Sequence, residues 1–302
     1  MAADLASGAP DDMPTVTIGG DMSPEMFVDV ATALRGMGVN VRTDTSPAQQ
    51  QHQAKVIVVL SPKGGSGKTA VTSNLAVALA QRHPGRVVAV DLDVQFGDLS
   101  SALSLTSERT LAQLSRATNI DATTVKLHLT AAERGLFVLA GARDPADADS
   151  IKHTHVSAVL DVLAQNFDYV VVDTPAGLDE LTLAALERAT DLLLVSSLDV
   201  TSIRSLRKAL DALDHIRIKA DRKLVLNRSD SKVGLNPSDA EEAIGMKISC
   251  SIPSSREIPL SLNLGTQVVI SEPKSAVARQ LQELAQLYSP IHGDTTRKGW
   301  RR

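Results

Sequence analysis

The residues best suited to chemistry form a glycine-rich run flanked by two lysines, PKGGSGKT, which begins at Pro62 and ends at Thr69. Its three glycines permit positive φ, so backbone N–H groups can turn inward on an anion. An apolar strand pattern precedes the run and a helical pattern follows it, which adds the positive end of a helix dipole. The Lys68 ammonium is placed to reach the β- and γ-phosphates, and the Thr69 hydroxyl to bind Mg²⁺. The residues predicted to contact a nucleotide here are Gly64, Gly65, Ser66, Gly67, Lys68, Thr69 and Ala70.

Carboxylates follow two further apolar runs. Asp91 and Asp93 come at the end of RVVAV, and strand alternation predicts that both lie on one side of a strand, at its carboxyl end. Asp173 ends a second run, YVVVD. Ligands of open α/β sheets bind at the carboxyl ends of the strands. Carboxylates there can hold the water shell of Mg²⁺ and orient an attacking water.

The elements that must position these residues alternate between strand and helix from Lys55 onward. Seven short apolar runs are predicted as strands: Val56–Leu60, Val87–Val90, Leu136–Leu139, Tyr169–Val172, Leu192–Val195, Leu224–Leu226 and Ile248–Cys250. Apolar residues spaced by three and four predict two helix faces in the core, one at Ile203, Leu206, Leu210 and Leu213 and one at Val277, Leu281, Leu284 and Tyr288. The pattern predicts an α/β fold with a doubly wound, mostly parallel sheet flanked by helices.

The glycine-rich run departs from the ordinary P-loop pattern, since Pro62 stands at its first glycine position and Lys63 precedes the glycines. This deviant Walker A form resembles the MinD/ParA family of P-loop ATPases, and the resemblance covers about residues 55–290. It implies a SIMIBI-type P-loop NTPase fold, ATP and Mg²⁺ as ligands, and an ATP-dependent homodimer. It also implies that Lys63 reaches across the dimer to the nucleotide of the partner subunit.

The same resemblance implies roles for the other polar residues. Asp91 corresponds to a residue near the metal shell, Asp93 to the one that positions the attacking water, and Asp173 to the Walker B acid. The predicted catalytic residues are therefore Lys63, Lys68 and Asp93, and the predicted metal site is Thr69, Asp91 and Asp173. Contacts to adenine are implied for Asn227, Arg228 and Pro253. Gly177 would let the loop after Asp173 follow the γ-phosphate.

Several stretches, among them DLDVQFGDLSSAL and NRSDSKVGL, resemble the CpaE/TadZ branch of this family. That branch implies a role in locating the assembly machinery of tight-adherence (Flp) pili, often at a cell pole. Its typical members carry a receiver-like N-terminal domain, whereas only about 50 residues precede the ATPase pattern here. We predict an acidic extension and linker over 1–54, with a partial β-α-β piece whose helix spans about Ser23–Arg35. The ATPase domain is predicted over 55–290 and a basic flexible tail over 291–302.

Composition excludes several classes of protein. The single cysteine, Cys250, excludes a disulfide framework, a Cys-based zinc site and a cluster-bridging ATPase, and it fits a reducing cytoplasm. Four Phe, two Tyr and one Trp are too few for base-stacking recognition of single-stranded nucleic acid. No apolar run is long enough to span a membrane, and the N-terminus lacks the features of a signal peptide. Tyr288 alone does not make the tyrosine-rich tail of a bacterial tyrosine kinase.

We predict an ATP-binding, slowly hydrolysing dimerisation switch that positions a partner complex, with pilus assembly machinery as the favoured partner. Three alternatives remain open: a MinD-like septum-site ATPase, a ParA-like ATPase that partitions DNA or cargo, and an ATP-binding scaffold without turnover. DNA binding would need a basic face, but Asp211, Asp214 and Asp221 interrupt the basic residues of 204–223, so a mixed, solvated face is expected. The basic tail, with Trp300, can give weak contact with anionic lipid. The expected location is cytoplasmic, with a peripheral position at the inner membrane face or the cell pole.

Overall fold

The structure is a computed structural model that describes residues 15–18, 32, 40–43, 54–230 and 235–290. The chain divides into two compact units, residues 1–52 and 53–302. In the first unit, strands β1 (Thr15–Ile18) and β2 (Asn40–Thr43) pair in parallel, as expected of a β-α-β piece. Apart from Thr32, the helix predicted between them lies outside the described residues, as does the predicted tail 291–302.

The second unit is built on an eight-stranded sheet, and all seven predicted strands are present in it. Its strands, in chain order, are β3 (Lys55–Leu60), β4 (Val87–Asp91), β5 (Thr130–Ala131), β6 (Leu136–Leu139), β7 (Tyr169–Asp173), β8 (Asp191–Ser197), β9 (Asp221–Asn227) and β10 (Ile248–Ile252). Their spatial order is β10-β9-β8-β3-β7-β4-β6-β5. Only β5, a two-residue strand too short to show alternation in the sequence, pairs antiparallel. The predicted α/β fold with a mostly parallel sheet is confirmed.

Helices cover both faces of this sheet. In chain order they are α1 (Lys68–Ala80), α2 (Leu99–Ala102), α3 (Leu111–Leu114), α4 (Ala122–Leu127), α5 (Pro145–Ala148), α6 (His153–Asn166), α7 (Glu180–Arg188), α8 (Val200–His215), α9 (Pro237–Ile244), α10 (Glu257–Leu264), α11 (Val268–Ser271) and α12 (Ala276–Tyr288), with a 3₁₀ turn at Glu133–Gly135. Strand β3 shows how the layers form: Val56, Val58 and Leu60 join one core, and Ile57 and Val59 the other. The alternation of side chains thus buries both faces of the strand.

Two cores result, and each contains one of the helix faces predicted from spacing. The stripe of α8, from Ile203 to Leu213, is buried on the face that also holds α6, α7 and α9. The stripe of α12, from Val277 to Tyr288, is buried on the other face together with α1. Helix α1 is buried at every position except Thr69, which gives the glycine-rich loop that precedes it a rigid support.

Candidate functional site

The glycine-rich loop connects the carboxyl end of β3 to the first residue of α1. Gly65 and Gly67 adopt φ values of 73° and 93°, and Gly67 caps α1, its carbonyl accepting the first helical hydrogen bond from Val71. Gly64, also expected to use this freedom, does not take a positive φ. Lys68 is buried at the start of the helix. The loop therefore has the left-handed turns that point successive N–H groups inward on an anion.

Asn227, at the carboxyl end of β9, is in direct contact with this loop. Its Nδ2 donates to the carbonyl of Ser66 at 2.8 Å, and its Oδ1 accepts from the backbone N–H of Arg228 at 3.0 Å. A Cβ on Gly67 would lie only 2.3 Å from the same Nδ2. Glycine is thus required at 67 both by its φ and by the close approach of Asn227.

Asp173, at the end of β7, lies beside the loop in a fully buried position. One carboxylate oxygen accepts from the Thr69 hydroxyl at 2.7 Å, and the other from the Thr72 hydroxyl at 3.0 Å. Burial raises the pKa of Asp173 to about 6, against the lowering effect of these two hydrogen bonds and of the Lys68 charge. The carboxylate is held without enough opposite charge to offset its desolvation.

Asp91 lies opposite Asp173 in the β4–β7 register and is also buried. Its oxygens accept from the backbone N–H groups of Asp93 at 3.1 Å and Leu99 at 3.2 Å. Burial, and then the charge of Asp173, raise the pKa of Asp91 well above its ordinary value. A Cβ on Gly97 would meet both oxygens at 2.4 Å, so the loop after β4 folds closely over this carboxylate.

The prediction that strand alternation places Asp91 and Asp93 on one side is wrong in its reason. Strand β4 ends at Asp91, and Asp93 stands in the loop beyond it, where its Oδ1 accepts from the N–H of Phe96 at 3.4 Å. The chain leaves the sheet after Asp91, so the two-residue period no longer applies. Asp93 is still close enough to the other two acids for its charge to raise the pKa of both Asp91 and Asp173.

Lys63, the additional lysine of the loop, contacts the start of α8 in the same chain. Its Nζ donates to the Thr201 hydroxyl at 2.8 Å and to Asp199 Oδ1 at 3.2 Å. Asp199 also caps α8 by accepting from the N–H of Ser202. Burial acts to raise the pKa of Asp199, but hydrogen bonds from Ser202, Thr201 and Lys63 outweigh it and lower that pKa. The Lys63 side chain is 45% exposed, so this contact is reversible at little cost.

Two cavities flank the loop. The first, of about 220 Å³, contains the three residues for which base contacts are predicted, together with Ala70; its lining is Gly67, Ala70, Asn227, Arg228, Pro253, Ser254, Ser255, Ile258, Pro259 and Leu262. The second, of about 300 Å³, is lined by Lys63, Gly64, Gly65, Ser66, Ser197, Leu198, Asp199, Ser202 and Arg228. We call them the base-side cavity and the Lys63-side cavity. Arg228 lines both, with φ of 53°.

The segment after Asp173 is tied to the loop through the backbone. Gly177, at φ of 98°, donates its N–H to the carbonyl of Ser61 at 3.2 Å, and the Thr174 hydroxyl donates to the carbonyl of Val59. The structure therefore brings together the loop, the three acids and the segment that contains Gly177 at one end of the sheet.

The charges near α8 are mixed rather than uniformly basic. Arg207 pairs with Asp211 at 2.9 Å, Arg222 with Asp214 at 2.6 Å, and Lys223 with the buried Asp191 at 2.6 Å. The first two pairs agree with the expected mixed, solvated face. Within the described part of the chain, no helix is long and apolar enough to span a bilayer.

Sequence reasoning missed four contacts that shape the site. Three are hydrogen bonds: Thr72 to Asp173, Lys63 to Asp199, and Lys63 to Thr201. The fourth is the position of Ile258 in the lining of the base-side cavity. The cap of α8 was visible as an Asp, Asp199, directly before the helical pattern that contains Ile203. Its contact with a lysine 136 residues earlier had no signal in the sequence.

Comparison with known proteins places these features in context. The AAA_31 family model, described as an AAA domain, matches residues 54–226. The septum site-determining protein MinD of Synechocystis sp. is 27% identical over 236 residues, which are 76% of this chain and 88% of that protein. The crystal structure of a ParA family ATPase from Chlorobium tepidum has a TM-score of 0.72 at 27% identity, covering 77% of this chain and 99% of that chain. The septum site-determining protein MinD of Pyrococcus horikoshii, in complex with Mg-ADP, has a TM-score of 0.71 at 24% identity, covering 80% and 98%.

Proposed function

This chain belongs to the MinD/ParA family of P-loop ATPases, the AAA_31 domain family, and we propose that it is an ATP-dependent dimerisation switch that hydrolyses ATP slowly and positions a partner complex. One observation carries this function. Two lysines of the same loop have different environments: Lys68 is buried beside Asp173, whereas Lys63 is exposed and bonded to the start of α8. Lys68 is suited to bind a nucleotide in its own chain, and Lys63 is available to bind a nucleotide in a second copy of the chain.

ATP would occupy the loop and the base-side cavity. The phosphates would contact the backbone N–H groups of the loop and the Lys68 ammonium, and the base would enter the cavity formed by Ala70, Asn227 and Pro253. This cavity adjoins Gly67, so the two parts of one nucleotide can be held at once. The MinD of Pyrococcus horikoshii is described with Mg-ADP, and we extend that ligand class to this chain.

Mg²⁺ fits the donor set beside the loop. Thr69 supplies a hydroxyl, and Asp173 and Asp91 supply buried carboxylates whose raised pKa values reflect a shortage of positive charge. Mg²⁺ is commonly held by one or two carboxylates together with substrate phosphates and water. When bound, it would neutralise phosphate charge.

The switch follows from the contacts of Lys63 and of the segment near Gly177. Lys63 would leave Asp199 and Thr201 to reach the γ-phosphate on the partner subunit, a desolvated contact stronger than the exposed one it gives up. The N–H of Gly177 is bonded to the loop through Ser61, so a γ-phosphate in the loop would bias the segment after Asp173. Asp93, outside the strand, would orient the attacking water.

The test is the solution mass of Asp93→Ala by light scattering after size exclusion, with Mg²⁺ and either ATP or ADP. We expect a dimer in ATP and a monomer in ADP, because ATP bound to this variant persists. Lys63→Ala is the matched control: it should bind nucleotide and remain a monomer in both. An equal mass for Asp93→Ala in the two nucleotides would refute the switch and favour an ATP-binding scaffold. Undiminished hydrolysis by Asp93→Ala would remove this residue from the mechanism.

Pilus assembly machinery is the partner we propose, on the resemblance of DLDVQFGDLSSAL and NRSDSKVGL to the CpaE/TadZ branch. A septum-site role is the second candidate, because curated relatives such as the MinD of Synechocystis sp. are named for it. Deletion of the gene separates them: loss of surface pili with normal septa supports the first, and misplaced septa with normal pili support the second. A fluorescent fusion, with and without residues 291–302, tests the proposed peripheral location at the membrane or the pole.

A further inference from the structure

The amide of Asn227 is already engaged with two backbone groups before any base enters the cavity beside it. Its Nδ2 donates to the carbonyl of Ser66 at 2.8 Å, and its Oδ1 accepts from the N–H of Arg228 at 3.0 Å. Asn227 is only 6% exposed. An amide carries two N–H donors and one carbonyl oxygen, so half of its donor capacity is used by the loop. This use differs from reading the edge of a base.

The position of Asn227 makes it a rigid support for the loop. It is the last residue of β9, paired with Ser197 of β8 on one side and with Ile252 of β10 on the other. A backbone position paired with strands on both sides has little freedom to move. Gly67 approaches so closely that a Cβ there would lie 2.3 Å from Asn227 Nδ2. The loop thus packs against a fixed side chain that also lines the base-side cavity.

The hydrogen bond to Ser66 also determines the direction of the next peptide N–H. In a trans peptide the carbonyl of one residue and the N–H of the following residue point in opposite directions. Because the Ser66 carbonyl points at Asn227, the Gly67 N–H points away from it. If this carbonyl were released, it could rotate toward the phosphates, where an oxygen would repel an anion.

We propose that Asn227 is a positioning residue for the phosphate-binding loop, which holds the Ser66 carbonyl away from the phosphates and so keeps the Gly67 N–H directed at them. The inference rests on the proposed function, since it concerns the same nucleotide. It differs from the base contact expected of Asn227, because its effect falls on the phosphates and is independent of the base. Loss of the amide leaves a buried carbonyl without its partner.

Pyrophosphate, which has no base, separates the two roles. The affinities of the full chain for Mg²⁺-ADP and Mg²⁺-pyrophosphate are measured by calorimetry for the parent and for Asn227→Ala. We expect the pyrophosphate affinity to fall ~10- to 100-fold, as for loss of one buried hydrogen bond with its acceptor left unpaired. The ADP affinity should fall at least as far, because Asn227 also lines the base-side cavity. Ile258→Ala, in the base-side cavity, is the matched control: it should weaken ADP and leave pyrophosphate unchanged.

Three results would overturn the assignment. They are a loss of ADP affinity alone in Asn227→Ala, no loss of either ligand, or a fall in pyrophosphate affinity of the same size in Ile258→Ala. Thermal unfolding of each variant reports on the fold, and Asn227→Ser, which keeps a polar group too short to reach Ser66, replaces the alanine variant if that one does not fold. Failure of the parent chain to bind either ligand would instead refute the proposed function.

Discussion

Replacing Asp173 by asparagine is expected to stabilise the protein when nucleotide and metal are absent, while abolishing hydrolysis. Asp173 is buried, and its two oxygens accept from the hydroxyls of Thr69 and Thr72. A hydroxyl can donate or accept, so both threonines can rotate to suit an amide. Asparagine therefore stands in for the protonated acid and removes a buried charge beside Asp91.

The size of the effect follows from the pKa of Asp173, which burial raises from 3.8 to about 6. Each pKa unit corresponds to about 1.4 kcal/mol, so an ionised Asp173 costs the folded state about 3 kcal/mol. An acid with a raised pKa destabilises the fold fully at pH values above its folded-state pKa, and this cost falls with pH until it vanishes below the unfolded-state pKa of 3.8. We therefore expect a gain of about 3 kcal/mol near pH 8 and about 1 kcal/mol near pH 4.5.

The assay is urea unfolding of parent and variant in EDTA at these two pH values. Asp121→Asn is the control of opposite sign. Asp121 caps the start of α4, and the hydrogen bond it accepts from the N–H of Thr124 lowers its pKa. Removing this carboxylate should therefore reduce the stability of the protein. A gain for Asp173→Asn that is equal at both pH values, or a loss at pH 8, would refute the reasoning. Either result would mean that burial of the ionised Asp173 carboxylate does not lower the free energy of unfolding.

Three further predictions concern the loop and its partners. Gly67→Ala should reduce nucleotide affinity ~100-fold in calorimetry, because it combines a strained φ with displacement of the Asn227 amide from Ser66; an affinity within about threefold of the parent would contradict the contact. Lys63→Ala should keep ADP affinity within about threefold and abolish the ATP dimer in light scattering, and a persisting dimer would show that this lysine does not cross. Thr201→Val removes one partner of Lys63 without removing the Asp199 cap of α8, so it should dimerise at ATP concentrations about two- to fivefold lower; an unchanged midpoint would show that the contact does not restrain the lysine.

Much of the fold could be predicted because its signals are local. Strands buried on both faces appear as continuous apolar runs, as in Val56–Leu60, and the stripes of α8 and α12 follow the helical period. The loop was equally visible, since its glycines are adjacent in the chain and the strand and helix beside it fix its ends. The position of Asp93 was harder to predict, because nothing in RVVAVDLD shows that the strand stops at Asp91.

The remaining features of the site depend on contacts between distant segments. Asn227 meets Ser66 across 161 residues, and Lys63 meets Thr201 across 138. In both cases the residue type was compatible with a direct ligand contact. The structure shows that the same polar group forms a hydrogen bond with another part of the chain. An amide or ammonium has several donors, so residue type alone does not say whether it binds the ligand or supports another residue that does. In the mechanism we propose, the two uses belong to different steps: Asn227 shapes the loop before nucleotide binds, and Lys63 gives up its intrachain contacts afterwards.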